Sequence, residues 1–240
     1  MIVLKDLDQI KHDLNCYINH DKAEFLPKFF KAVPGGYGEG DQFIGIRVPD
    51  QRKIAMKHYR NVSLETAQEL LREPIHEYRF TALIILVYKF EKATTEQDKK
   101  NIVDMYLRNT LYINNWDLVD VSAEKILGAY LMDKDRNILY ELANSNILWK
   151  QRIAIISTFY FIRKNEFKET LKMAKILLHH EHDLIHKAVG WMLREVGKRD
   201  FLTELKFLEE HYQSMPRTML SYAIERFEPE LRQKFLKGLV

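Results

Sequence analysis

NNWDLVDVSAEKIL, residues 114–127, sets Trp116 and Asp120 four residues apart. That is just over one helical turn, so the two share a face while Asp117, between them, points elsewhere. The stretch has counterparts along the chain. HEYRFTALIILVY (76–88), KQRIAIISTFYFI (150–162), IHKAVGWMLREVG (185–197) and MPRTMLSYAIERF (215–227) align with it, bringing Arg79, Trp116, Arg152, Lys187 and Arg217 into one register. Their separations are 37, 36, 35 and 30 residues, close to the roughly 30–47 residues of two-helix repeats. Each marked residue opens an apolar helix, and four of the five are basic.

The expected fold is therefore all-α, a superhelical HEAT-like repeat array occupying residues 1–240 as a single domain. Apolar residues recur at three- and four-residue intervals in IVLKDLDQIKHDLNCYI, SLETAQELLRE and FKETLKMAKILL, as amphipathic helices require. Short polar stretches such as KATTEQDKK and LANSN separate the helical runs. Ser63 with Thr66, and Asn165 with Lys168, are partial helix-start signals. The exception is VPGGYGEGDQFIGIRVPD, residues 33–50, which holds five of the nine glycines. It reads as a glycine-rich β-hairpin or loop inserted near residues 34–48, with strand-like alternation in FIGIRV. Its glycines do not make a phosphate cradle. No apolar strand precedes them, no Lys-Ser/Thr follows, and Glu39 and Asp41 repel phosphate.

Composition narrows the function classes. In 240 residues, 46% are hydrophobic and 30% charged, with a formal net charge of +3; the pI is about 8.7. Those proportions fit a globular chain with a real core. The single cysteine, Cys16, excludes an intrachain disulfide framework or zinc ribbon. MIVLKDLDQIKHDL lacks a signal-peptide apolar core, and TALIILVY ends at Lys89, too short for a membrane span. A cytoplasmic location is expected, without membrane contact.

Basic residues at equivalent helix starts would line the concave side of a stacked array. There they would join helix N-terminal N–H groups in attracting a polyphosphate backbone. The plain alternative is that they extend to solvent. Trp191 stands at the same offset from its marker as Asp120 does from Trp116. Stacking is thus expected to bring Trp116, Asp120, Arg152 and Trp191 onto one stretch of surface. Two indoles supply cation–π faces, a carboxylate opposes positive charge, and a guanidinium holds a phosphate. The alternative for each is an ordinary core or paired residue. Trp149 is expected to pack between repeats. His179, His180, His182 and His186 cluster in HHEHDLIH, but without the glutamate of a HExxH zinc site they read as a solvated helix end.

FIGIRVPDQRK, NNWDLVD, LWKQRIAI and IHKAVGWMLREVGKRD, in this order, resemble the AlkD-like DNA alkylation repair family. The resemblance covers most of the chain through WDxVD, WxQR and KAxGWxLRE. It implies a HEAT-like fold that binds double-stranded DNA, alkylated or branched, and removes cationic N3- and N7-alkylated purines as a DNA glycosylase. It also implies Asp120 as the catalytic carboxylate, Trp116 and Trp191 as aromatic walls, and Arg152 as the phosphate-contacting arginine. No cofactor or metal is expected, and a monomer suffices. Arg47, Lys53, Lys150, Lys187, Arg194, Lys198 and Arg217 are the expected DNA-binding cations.

The pattern departs in two places. Asn115 precedes Trp116 where the family has an aromatic pair, and Phe29 or Phe30 stands where a tyrosine is expected. Non-catalytic relatives of the AlkF/AlkG-like branch carry an inserted β-hairpin and bind branched DNA. The glycine-rich insertion points to that reading. A protein–protein scaffold is the third possibility, being the commonest use of helical repeats.

Overall fold

The computed structural model describes residues 6–240; the first five, which begin the amphipathic run and the charged N-terminal stretch noted above, lie outside it. The chain forms two compact units, dividing after Ile126. The first holds α1 (Asp6–Asn15), α2 (His20–Phe29), α3 (Val48–His58), α4 (Leu64–Leu71), α5 (His76–Lys92), α6 (Glu96–Arg108) and α7 (Trp116–Ser122). The second holds α8 (Asn137–Ala143), α9 (Leu148–Ser157), α10 (Phe159–Arg163), α11 (Lys168–Ile176), α12 (Asp183–Gly197), α13 (Phe201–His211), α14 (Arg217–Ala223) and α15 (Pro229–Lys237). A π-helical segment, Glu124–Gly128, spans the division.

Helix starts follow local chemistry. Ser63 accepts the Thr66 N–H, Thr95 the Asp98 N–H and Asp200 the Thr203 N–H, each satisfying a donor with no partner inside its helix. The core of the first unit is α5. Every residue from His76 to Val87 is buried, as expected for a helix that is apolar nearly all round. Packed against α5 are α3, α4 and α7. In the second unit α9 packs on α12, and α12 packs on α14. The helices carrying the marked residues are therefore neighbours within each unit: α5 with α7, α9 with α12, and α12 with α14. Gly190 lets α12 approach α14 closely. A Cβ there would lie 2.4 Å from the Met219 carbonyl oxygen and 2.6 Å from the Tyr222 Cβ.

The glycine-rich insertion is a loop. Among the described residues no strand forms, and the segment shows only an isolated parallel bridge, Gln42 with Ile75. The reason lies in where its N–H groups go. Ile44 and Gly45 donate to the Glu77 carboxylate, Gly45 at 2.7 Å, instead of to a second strand. Gly45 has φ +81°, and a Cβ there would meet the Asn19 carbonyl oxygen at 2.0 Å, so the loop lies directly on the start of α2. The strand-like alternation of FIGIRV thus lacks a ladder, and the branched-DNA reading loses the paired strands that motivated it.

Candidate nucleic-acid interface and catalytic carboxylate

In the first unit, Trp116 and Asp120 stand on α7. Asn115, fully buried, caps that helix by accepting the Trp116 N–H at 2.8 Å, and its amide reaches the Phe30 carbonyl at 3.4 Å. Trp116 is half-buried. Its indole stacks on Phe30 (5.4 Å between centroids, 25°) and meets Phe29 edge-on at 5.9 Å. Phe29 and Phe30, the two alternatives for the expected tyrosine position, therefore both lie on this tryptophan.

Asp117 turns back over the helix start. One carboxylate oxygen accepts the Leu118 N–H, and the other accepts from His76 Nε2 at 2.9 Å. On its other side His76 Nδ1 reaches Asp41 Oδ2, also at 2.9 Å. Asp41 in turn pairs with Arg79 at 2.6 Å and accepts from the Asn114 amide, while Arg79 donates to Asn114. His76 is 3% exposed. Burial opposes its charge, but the carboxylates of Asp117 and Asp41 outweigh burial and raise its pKa to about 9. The same contacts overcome burial at Asp41 and hold that carboxyl below its ordinary value. At neutral pH an imidazolium therefore sits clamped between two carboxylates, tying the glycine-rich loop, α5 and α7 together.

Beside this clamp lies a cavity of about 540 Å³, lined by Phe29, Phe30, Phe43, Phe80, Trp116 and Asp117 among others. Asp120 does not line it. Half-buried, one turn further along α7, Asp120 lies near the buried Tyr106. Burial pushes the Tyr106 phenol up, and the Asp120 carboxylate adds to the shift. So at the start of α7 it is Asp117 that shares a cavity with Trp116, although the helical spacing pairs Trp116 with Asp120.

In the second unit Arg152 is 5% exposed and donates to the Leu184 carbonyl at 2.6 Å. Arg79, another marked basic residue, is equally buried. Two of the four basic markers are therefore inside their units. Their guanidiniums are fixed by Asp41 and by a backbone carbonyl, not spread along a surface track. Trp191 is half-buried, edge-on to Phe159 at 5.6 Å, with its indole N–H on Glu195 at 3.3 Å. Lys187, Trp191, Arg194 and Lys198 recur at helical spacing and share one face of α12.

The expected DNA-binding cations mostly have partners. Arg47 pairs with Asp50 at 2.9 Å, Lys187 with Asp183 at 2.6 Å, Lys198 with Glu195 at 2.6 Å, and Arg194 with Glu225. Lys53 donates to the Tyr17 hydroxyl at 3.0 Å, and the exposed Arg217 to the Leu236 carbonyl at 2.6 Å. Lys150 is half-buried. The exposed pairs Arg47–Asp50 and Lys187–Asp183 are worth about 0–1 kcal/mol each, whereas Lys198 shares the buried Glu195 with Trp191 and Arg199.

The histidine cluster has structural work. His182 caps α12 by accepting the Leu184 N–H at 3.1 Å, His180 faces Gln151 at 2.9 Å, and His186 contacts the His180 carbonyl. Trp149 is buried. Sequence reasoning did not single out His76, Asp41 or the role of Asp117. The one available signal was Asp117 itself, an acidic residue in the first turn of a helix, where a carboxylate folds back on the N-terminus.

Comparison with known proteins gives the geometry a context. A family model described as DNA alkylation repair enzyme matches residues 10–227. A structure described as "Predicted DNA alkylation repair enzyme from Enterococcus faecalis" aligns with a TM-score of 0.70 at 16% identity, over 88% of this chain and 97% of that one. AlkD2 from Streptococcus mutans aligns with a TM-score of 0.54 at 17% identity, over 87% and 98% respectively. At these identities the likeness is one of fold. No curated protein matches the chain. Among the described residues, no helix is long and apolar enough to cross a membrane. With the family model spanning nearly the whole chain, the protein belongs to the DNA alkylation repair enzyme family.

Proposed function

We propose that the protein binds double-stranded DNA and hydrolyses the N-glycosidic bond of cationic N3- or N7-alkylated purines, with Asp120 as the catalytic carboxylate. The observation that carries the reading is Asp120 itself. It is a partly exposed carboxylate one turn beyond Trp116, on a helix whose start is held by Asn115 and by the Asp117–His76 bond. An alkylated purine already carries positive charge. When its C1′–N bond breaks, the electron pair leaves with the base, which departs neutral. No general acid is required. The deoxyribose is left as an oxocarbenium ion, as in glycoside hydrolysis. Asp120 stabilises that charge and orients the water that adds to C1′, and the water's proton passes to the carboxylate or to solvent.

Trp116 and Trp191 are assigned as aromatic faces for the cationic base, and Arg152 as a phosphate contact. Arg47, Lys53, Lys150, Lys187, Arg194, Lys198 and Arg217 are assigned to the DNA backbone, the four that pair with carboxylates (Arg47, Lys187, Arg194 and Lys198) exchanging them for phosphates. The protein is proposed to work as a monomer in the cytoplasm, without metal or cofactor. The test is release of 7-methylguanine or 3-methyladenine from alkylated DNA. Wild type should release base and Asp120→Asn should not, with DNA affinity kept. Wild-type protein that binds the alkylated DNA and releases nothing would sink the enzymatic reading.

A further inference from the structure

Lys89 stands near the end of α5 with its charge unanswered. It is half-buried, and among the described residues its ammonium has neither an ion pair nor a hydrogen bond. Burial alone acts on it and holds its pKa below the ordinary lysine value. Other lysines of the first unit have carboxylates: Lys11 pairs with Glu73, Lys57 with Asp13 and Lys100 with Asp104. Drawing an ammonium out of water without a counter-ion costs free energy that an anion beside it would recover.

The surroundings of Lys89 suit such an anion. It lines a cavity of about 350 Å³ together with Arg60 and Lys92, both exposed. Lys92 lies one turn beyond Lys89 on the same face of α5. Its ammonium, too, has no ion pair or hydrogen bond among the described residues. Arg60 is held in place, with its guanidinium 5.6 Å from the Tyr59 ring centroid and its Nε donating to the Tyr59 hydroxyl at 3.0 Å. The one carboxylate of the lining, Asp98, accepts the Thr95 hydroxyl at 2.6 Å in the first turn of α6. Three cations less one carboxylate leave the lining with an excess of two positive charges. Leu64 and the buried Ile102 add an apolar wall. The volume is at the low end of the roughly 300–1,000 Å³ of small-molecule sites, so the occupant is compact. Lys89 follows His76 by 13 residues on α5, about 20 Å at 1.5 Å per residue. The cavity is therefore at the far end of that helix from the clamp.

We propose that this cavity binds a compact phosphorylated small molecule, with Lys89 as its inner counter-ion and Arg60 and Lys92 at the rim. A phosphate group with two or more negative charges offsets the excess charge of the lining and gives Lys89 the partner that the chain does not supply. The glycosidic chemistry above makes no use of these residues, so the site stands or falls independently of that reading.

Isothermal titration calorimetry with pyrophosphate, on the whole chain without DNA, tests the proposal. Wild type should bind one pyrophosphate per chain, saturably. Lys89→Met keeps most of the apolar stem, removes the charge and should weaken binding about ten-fold or more, as loss of a charged hydrogen bond does. Lys92→Gln changes only the exposed rim and should weaken it too, which keeps the test decisive if Lys89→Met fails to fold by circular dichroism. Lys168→Gln removes an exposed charge from the second unit and should leave the affinity unchanged. Saturating duplex DNA should also leave pyrophosphate binding unchanged. Absence of saturable binding by wild type, a loss in Lys168→Gln equal to that in the cavity variants, or displacement of pyrophosphate by DNA would each overturn the proposal, the last by giving these cations to the DNA backbone.

Discussion

His76→Gln isolates the energetic weight of the clamp that holds α7. The imidazole has an ordinary pKa near 6.5, and in the folded protein it is raised to about 9. A folded-state pKa above the unfolded one means that the native protein binds the extra proton between those values. The contribution is fully present below pH 6.5 and is lost as pH rises through 9. At 1.36 kcal/mol per unit, a shift of that size corresponds to about 3 kcal/mol, and at 3% exposure little solvent screens it. Urea unfolding of wild type and His76→Gln at pH 6, 7.5 and 10 reads this directly. The variant should be about 3 kcal/mol less stable at pH 6, with the gap falling below about 1 kcal/mol at pH 10. Other groups titrate over this range, so the difference between the two proteins is the quantity that matters. A gap that stays constant with pH would refute the charged clamp, leaving His76 as a neutral packing residue.

Glu204 supplies a second pH signature of opposite design. Buried in the second unit with only the Arg194 charge to offset burial, its carboxyl is raised to about 8. Its contribution is present below about pH 4.5 and is lost as pH rises through 8. Glu204→Gln should therefore be several kcal/mol more stable than wild type at pH 9 and no more stable at pH 4.5, read from urea midpoints. Gly190→Ala should cost about 1–3 kcal/mol, because the added methyl meets the backbone of α14; a thermal melt that matches wild type would contradict the close packing of α12 on α14.

Much of the helical architecture was legible because it is periodic. The in-phase segments beginning at residues 76, 114, 150, 185 and 215 fall on α5, α7, α9, α12 and α14, and three-to-four spacing reports which residues turn inward. What periodicity does not report is direction at a polar position. Arg79 and Arg152 sit in the same register as Lys187 and Arg217, yet the first two are buried and the last two face solvent or a surface partner. Long-range partners, Asp41 and Asn114 for Arg79 and the Leu184 carbonyl among those of Arg152, offset those burials. Asp117 was hidden for a local reason. Helical-wheel reasoning places it off the Trp116 face, but in the first turn a carboxylate can fold back towards the N-terminus and leave the wheel behind. The His76 clamp joins residues 41, 76, 79, 114 and 117 across three segments, and no local motif encodes that combination. Of the hairpin and the loop that FIGIRV left open, the loop forms, since alternation yields a strand only when a partner strand is available to receive its N–H groups.

That last feature has a bearing on how the chain behaves in a crowded solution. An alternating apolar segment with open backbone donors is a template for another molecule's strand, and exposed edges of this kind are where proteins aggregate. In this loop the Ile44 and Gly45 donors are capped by the side chain of Glu77, a residue with no strand of its own to offer. The carboxylate occupies the donors as a partner strand would, but presents no further edge beyond itself. A single acidic side chain thus quenches a stretch whose alternation invites cross-β association.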